Sequence, residues 1–212
     1  KRDWFEENGP LYRIEVSLLK DMATLTIDTS GAGLHKRGYR KLAGNAPLKE
    51  TLASAMLLIS RWKADRVLLD PFCGSGTIPI EAALIAKNMA PGLNRSFAAE
   101  NWGMVPKELW SRAREEAKDA VRNDIELNIQ GSDIDEEAMS LARYHAKQAG
   151  VDEFIHLQRR DVAEISSKQK YGFIICNPPY GERLGENREV EKLYRLMGNV
   201  FKKFDTWSFY II

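Results

Sequence analysis

Four short apolar runs, each closed by an acid or an asparagine, constrain the fold of this chain more than any other feature. Val67-Leu68-Leu69 ends at Asp70, and Leu127-Asn128-Ile129-Gln130-Gly131-Ser132 ends at Asp133. A run over 154–159 leads to Asp161, and Tyr171-Gly172-Phe173-Ile174-Ile175-Cys176 ends at Asn177. Segments of helical spacing fill most of the gaps between them, such as Leu48, Leu52, Ala55, Met56 and Ile59 after Pro47. Strands separated by helices of this length pair in parallel through right-handed crossovers. The spacing predicts helices at about 47–59, 77–88, 107–123, 136–149 and 189–204, and strands at 66–70, 126–133, 154–159, 171–176 and 207–212. The expected fold class is α/β, a Rossmann-like and mostly parallel sheet, with Pro47 opening the first helix.

Two alternating runs precede this pattern. Tyr12–Leu18 and Ala23–Asp28 flank Lys20-Asp21, which predicts a β-hairpin. A basic loop follows, Leu34-His35-Lys36-Arg37-Gly38-Tyr39-Arg40. The expected division is a hairpin and basic linker over 1–46 and the main domain over 47–212. The chain stops inside the apolar run Ser208–Ile212, so a longer protein, truncated at its C-terminus, is expected.

Composition narrows the class. A 44% hydrophobic chain of 212 residues can fill one sizeable core. A net charge of +1 argues against a scaffold that holds nucleic acid by charge alone. Cys73 and Cys176 lie far apart without metal-type spacing, which fits a reducing cytoplasm and no metal. No apolar stretch reaches the ~18 residues that a membrane span needs, and Lys1–Phe5 does not read as a signal peptide.

Ligands of open α/β sheets bind beyond the carboxyl ends of the strands. There, Asp70 opens the turn Pro71-Phe72-Cys73-Gly74-Ser75-Gly76-Thr77, whose glycines let the backbone approach a ligand closely. The turn lacks the Gly-Lys-Ser/Thr of a phosphate loop and the third glycine of a dinucleotide fingerprint. Asp70 would repel a pyrophosphate and suits an amino-acid ammonium. An acid at Asp133 or Asp135 can take ribose hydroxyls, and Asp161 can accept from an adenine amino group. A ligand with ammonium, ribose and adenine is S-adenosylmethionine. The plainer alternative is that Asp135 or Asp133 caps the next helix and that Asp161 is a turn residue.

Asn177-Pro178-Pro179-Tyr180 adds chemistry. The exocyclic amine of a nucleobase is a poor nucleophile because its lone pair is delocalised into the ring. The Asn177 side-chain oxygen and the Pro178 carbonyl can accept its two hydrogens and localise that pair. Consecutive prolines hold the corner stiff, and Tyr180 can stack on an extruded base. The plainer alternative is a rigid loop or a proline ligand for another module.

Asp70–Thr77 together with Asn177-Pro178-Pro179-Tyr180-Gly181-Glu182-Arg183 resembles the THUMP-associated RNA guanine-N2 methyltransferases, nearest the bacterial 23S ribosomal RNA enzymes. Leu34–Arg40, Pro47–Ala53, Asn94-Arg95-Ser96-Phe97 and Glu100-Asn101-Trp102 fit the same family. The resemblance implies a class I S-adenosylmethionine-dependent methyltransferase acting on RNA, most closely ribosomal RNA. It assigns Asp70, Cys73, Gly74, Gly76, Thr77, Asp133, Ile134, Asp161, Val162 and Asn177 to the cofactor. It assigns Asn177, Pro178 and Tyr180 to the target base. Tertiary features of the family, a THUMP domain and the last sheet strands, have no counterpart in this sequence beyond the hairpin. Transfer RNA guanine-N2, DNA adenine-N6 and non-catalytic binding remain the competing readings.

His35, Lys36, Arg37, Tyr39 and Arg40 join charge to an aromatic ring and are expected to clamp RNA, with a solvated loop as the alternative. Arg112, Arg114 and Lys118 are expected on a solvated helix face, and His145, Cys73 and Cys176 in structural roles.

Overall fold

The computed structural model describes residues 8–42, 47–180 and 187–212. Strands β1 (Arg13–Leu19) and β2 (Met22–Asp28) pair antiparallel about Lys20 and Asp21. Both turn residues have positive φ, 50° and 60°, which matches the twist of a two-residue hairpin. Ile14 faces Ile27, Val16 faces Leu25 and Leu18 faces Ala23 across the ribbon.

The main domain runs α1 (Glu50–Ser60), β3 (Leu68–Asp70), α2 (Thr77–Ala86), α3 (Lys107–Asp119), β4 (Ile129–Asp133), α4 (Glu136–Ala149), β5 (Ile155–Arg159), β6 (Phe173–Cys176), α5 (Asn187–Phe201) and β7 (Ser208–Ile211). Its five strands are all parallel, in the order β5-β4-β3-β6-β7. The chain moves outward from β3 through β4 to β5, then crosses back to β6 and β7. That reversal leaves a crevice beyond the carboxyl ends of β3 and β6.

The two-residue period of the strands splits the core into two layers. Leu68 and Ile175 join Ala53, Leu57, Ile80 and Ala146 on the side of α1, α2 and α4. Val67, Leu69, Ile174 and Cys176 join Met197, Val200 and Phe201 on the side of α5. Helix α2 is apolar almost all round, and only Ile85 of its ten residues escapes burial. Its one acid, Glu81, is 2% exposed and accepts from Tyr39 Oη at 3.2 Å and Arg37 Nη2 at 3.3 Å.

Two boundaries differ from the predicted ones, and tertiary bonds explain both. Helix α1 starts at Glu50 and not at Pro47, because the Leu48 carbonyl is held out of the helix by Arg40 (3.3 Å) and Lys49 is extended. Helix α3 stops at Asp119 and not near Asn123, because the Arg122 N–H reaches across to the Lys87 carbonyl at 2.8 Å. No helix among the described residues is long and apolar enough to cross a membrane.

Candidate active site

The turn after β3 is fixed from both sides. Asp70 Oδ1 accepts the Phe72 N–H at 3.1 Å, and Cys73 N–H donates to the Ser132 carbonyl at 3.0 Å. Gly74 N–H donates to Asp133 Oδ2 at 2.9 Å, tying the turn to the end of β4. Gly76 is the N-cap of α2 with φ 84°, and a Cβ there would lie 3.1 Å from Ala142 Cβ on α4. Backbone conformation and close helix approach both demand glycine at that point. His145, on α4, is fully buried with Nδ1 3.2 Å from the Ser75 carbonyl. A carbonyl only accepts, so Nδ1 carries the proton. Desolvation lowers the His145 pKa, which keeps the ring neutral as a prop for the turn.

Each strand-end acid organises its own corner. Asp133 Oδ1 accepts the Asp135 N–H at 3.1 Å, and Asp135 caps α4 by accepting from Glu137 N–H at 2.8 Å. Asp161 accepts from Ala163 N–H at 2.8 Å at the start of a 3-10 turn. Capping does not exhaust a carboxylate, which has about four lone-pair sites. Asp70, Asp133, Asp135 and Asp161 all line one cavity of about 800 Å³. The cavity lies in the crevice that the sheet order creates.

Of the other residues expected at the cofactor, Cys73, Gly74, Thr77, Ile134, Val162 and Asn177 also line it. Gly76 does not line it and acts through its backbone conformation. Asn177 is half-buried at the end of β6 and Pro179 forms wall beside it, whereas Pro178 is buried behind and Tyr180 is 47% exposed outside. Because β3 and β6 are parallel neighbours, the glycine turn and the proline corner share one rim of the sheet. Leu141 of α4, Leu193 and Leu196 of α5 and the Pro47-Leu48 segment complete the walls. Sequence reading missed these leucines, since helical spacing marks them only as core. Gly181, Glu182 and Arg183 of the motif lie outside the described residues.

Asp70 is 1% exposed, and burial pushes its carboxyl well above the usual carboxylate range, with Asp133 adding to the rise. A cation beside it would restore the ionised form. Burial likewise pushes the thiols of Cys73 and Cys176 up, so neither is an activated nucleophile.

The basic loop is not the open clamp expected of it. Tyr39 is 2% exposed with its hydroxyl on Glu81, so its ring has no face for a base. Arg37 pairs with Glu81, and Arg40 pairs with Glu50 at 3.3 Å and donates to the Thr77 hydroxyl. These charges are spent on buried acids of α1 and α2. His35 and Lys36 remain at the surface side of the loop. Arg114 also departs from its expected solvated face, since it bonds Glu100 and the carbonyls of Gly92, Leu93 and Arg95.

Comparison with known proteins now decides the family. The model of the UPF0020 family, RMKL-like methyltransferase domain, matches residues 37–212. The chain belongs to this family. It is 49% identical to "Putative RNA methyltransferase YpsC" of Bacillus subtilis (strain 168), over 99% of this chain and 54% of that protein. It is 43% identical to the ribosomal RNA large subunit methyltransferase K/L of Shewanella frigidimarina (strain NCIMB 400), over 96% of this chain and 29% of that protein. A crystal structure from Listeria monocytogenes str. 4b F2365, described as a predicted N6-adenine-specific DNA methylase, superposes with a TM-score of 0.92 at 52% identity. The match covers 97% of this chain and 54% of that one. SMU.472, complexed with SAH, superposes at 0.90 with 45% identity over 97% of this chain and 54% of that one. The chain thus spans about half the length of YpsC and of these crystal structures.

The cofactor of this fold is S-adenosylmethionine, and the cleft fits it. Its volume lies within the ~300–1,000 Å³ range of small-molecule sites. Buried Asp70 would offer the counter-charge for an ammonium. Asp133 and Asp161, which line the cleft, would offer acceptors for hydroxyl and amino groups. Ile134, Leu141 and Val162 would offer apolar wall for a flat ring. When bound, the sulfonium supplies an electrophilic methyl group.

Proposed function

We propose that this domain methylates the N2 amine of a guanine in RNA, in large-subunit ribosomal RNA. The observation that carries the reading is that Asn177 and Pro179 line the same cavity as Asp70, from an adjacent parallel strand. Asn177 Oδ1 and the Pro178 carbonyl accept the two amine hydrogens and draw the nitrogen toward a tetrahedral shape. The stiff corner holds those acceptors in place before the reaction, so little reorganisation is needed. Tyr180, exposed and next to Pro179 in the chain, stacks on the extruded base. The nitrogen forms its bond to the methyl carbon as the carbon–sulfur bond breaks, and the displaced amine proton passes to water at the open mouth.

The names of YpsC and the Shewanella protein favour RNA. The description of the Listeria protein favours a second reading, adenine N6 in DNA, because the same acceptor pair suits either amine. Transfer of an isotopically labelled methyl group to RNA or DNA, followed by nucleoside analysis, separates them. Asn177→Ala, assayed at saturating cofactor, is expected to lose about 10²–10³ in turnover, the scale seen when one preorganised polar group is removed. Label on adenine, or an unimpaired variant, would defeat the reading.

A further inference from the structure

A second cavity, of about 610 Å³, adjoins the cleft, with His35, Lys36, Arg40, Asn94, Arg95 and Ser96 in its lining. It forms where loop 34–40 meets loop 91–97. The two loops touch at Gly38, where φ is 99° and a Cβ would fall 1.9 Å from the Asn94 carbonyl oxygen. Arg95 binds the loops together. It donates to the carbonyls of Gly33 at 3.0 Å, Ser30 at 3.2 Å, Lys36 at 3.4 Å and Ala32, and it lies over the Phe97 ring at 4.8 Å.

The charge balance of this cavity is one-sided. Arg37 and Arg40 are matched by Glu81 and Glu50. Among the described residues Arg95 and Lys36 form no salt bridge. Carbonyls satisfy the hydrogen bonds of Arg95, and its charge acts on Asp28 from beyond salt-bridge distance. The exposed Lys36 ammonium, Asn94 amide and Ser96 hydroxyl add donors around it. A positive floor rimmed by such donors matches a phosphate group.

Arg40 forms the wall between the two cavities. It lines the basic one and donates to the Leu48 carbonyl and the Thr77 hydroxyl, both on residues that line the cleft. We infer that the basic cavity seats a backbone phosphate of the RNA strand whose target base enters the cleft. This rests on the reading of the cleft as a base-methylating site. A shared wall suits a polyanion, which can occupy both cavities at once. The residues that hold the phosphate are Lys36, Asn94 and Ser96, with Arg95 as the charge beneath them.

Fluorescence anisotropy with a mixed-sequence single-stranded oligoribonucleotide, read over a series of potassium chloride concentrations, tests this. Lys36→Ala should weaken binding and make the slope of log K against log salt shallower by about 0.7, the value for one phosphate contact on a single strand. Lys118→Ala, on the exposed helix α3, should leave the slope unchanged. Calorimetry with SAH should give the same affinity for all three proteins. A wild-type slope in Lys36→Ala, an equal loss in Lys118→Ala, or no RNA binding by the wild type overturns the inference. Failure of the wild type to bind SAH defeats the reading of the cleft instead, and leaves the salt slope readable on its own.

Discussion

Replacing Asp70 with Asn separates ligand binding from stability at one position. Asp70 is 1% exposed, and its carboxylate has one backbone donor, Phe72 N–H. Burial raises its pKa well above 3.8. With the folded value above the unfolded one, the folded state holds more protons in the window between them. Stability therefore falls as pH rises through that window, and the ionised group is a liability to the empty protein at neutral pH. Asn keeps the shape and the acceptor for Phe72, and removes the titration. The ligand-free variant should thus melt no lower than the wild type at pH 7. Cofactor binding should suffer, because the ligand's buried ammonium loses its counter-charge. Breaking a buried pair costs about 3–5 kcal/mol, which is a loss of roughly 10²–10⁴-fold in affinity. The wild type should also bind more tightly as pH rises and Asp70 ionises, and the variant should lose that dependence. Calorimetry with SAH and thermal melts at pH 5–8 read both effects. Affinity within about threefold of wild type, or a melting point several degrees lower at pH 7, would refute this account of Asp70.

Three further outcomes follow from the packing. Glu81→Ala strands the largely covered Arg37 guanidinium and the buried Tyr39 hydroxyl, so chemical denaturation should show a loss of about 3–5 kcal/mol. Gly131→Ala places a Cβ 2.8 Å from Leu157 Cδ2 and 3.2 Å from Cys73 Sγ. It should cost about 1–3 kcal/mol by overpacking, measured the same way, and weaken SAH binding through the turn it displaces. Tyr180→Ala should weaken RNA binding by about 1–3 kcal/mol in the anisotropy assay, with SAH affinity unchanged.

The sheet was legible because its strands carry their own markers. Val67-Leu68-Leu69-Asp70 and Phe173–Cys176 are apolar on both faces, as strands covered by helices on both sides must be. Helix α4 was legible to the residue, with Asp135 as cap and Gly150 in the left-handed conformation at its end. The start of α1 was not, because Arg40 takes the Leu48 carbonyl from outside the helix. For the same kind of reason, the inward pairing of Arg37, Tyr39 and Arg40 in the basic loop was not legible. Its partners, Glu50 and Glu81, sit on helices 10 and 44 residues away from Arg40 and Arg37, and nothing local shows that those acids are buried. In the cleft, polar corners could be read from strand ends, whereas the apolar walls from α4 and α5 emerge only when the helices pack over it. The basic cavity was half legible, since Lys36 stood out by charge while Arg95 joined it only through contacts between loops 62 residues apart.

The most direct test of the central claim is nucleoside mass spectrometry of ribosomal RNA from cells lacking the full protein. The account predicts loss of N2-methylguanosine from large-subunit RNA, restored by the wild-type gene and not by Asn177→Ala. An unchanged N2-methylguanosine content, or full restoration by Asn177→Ala, would contradict it.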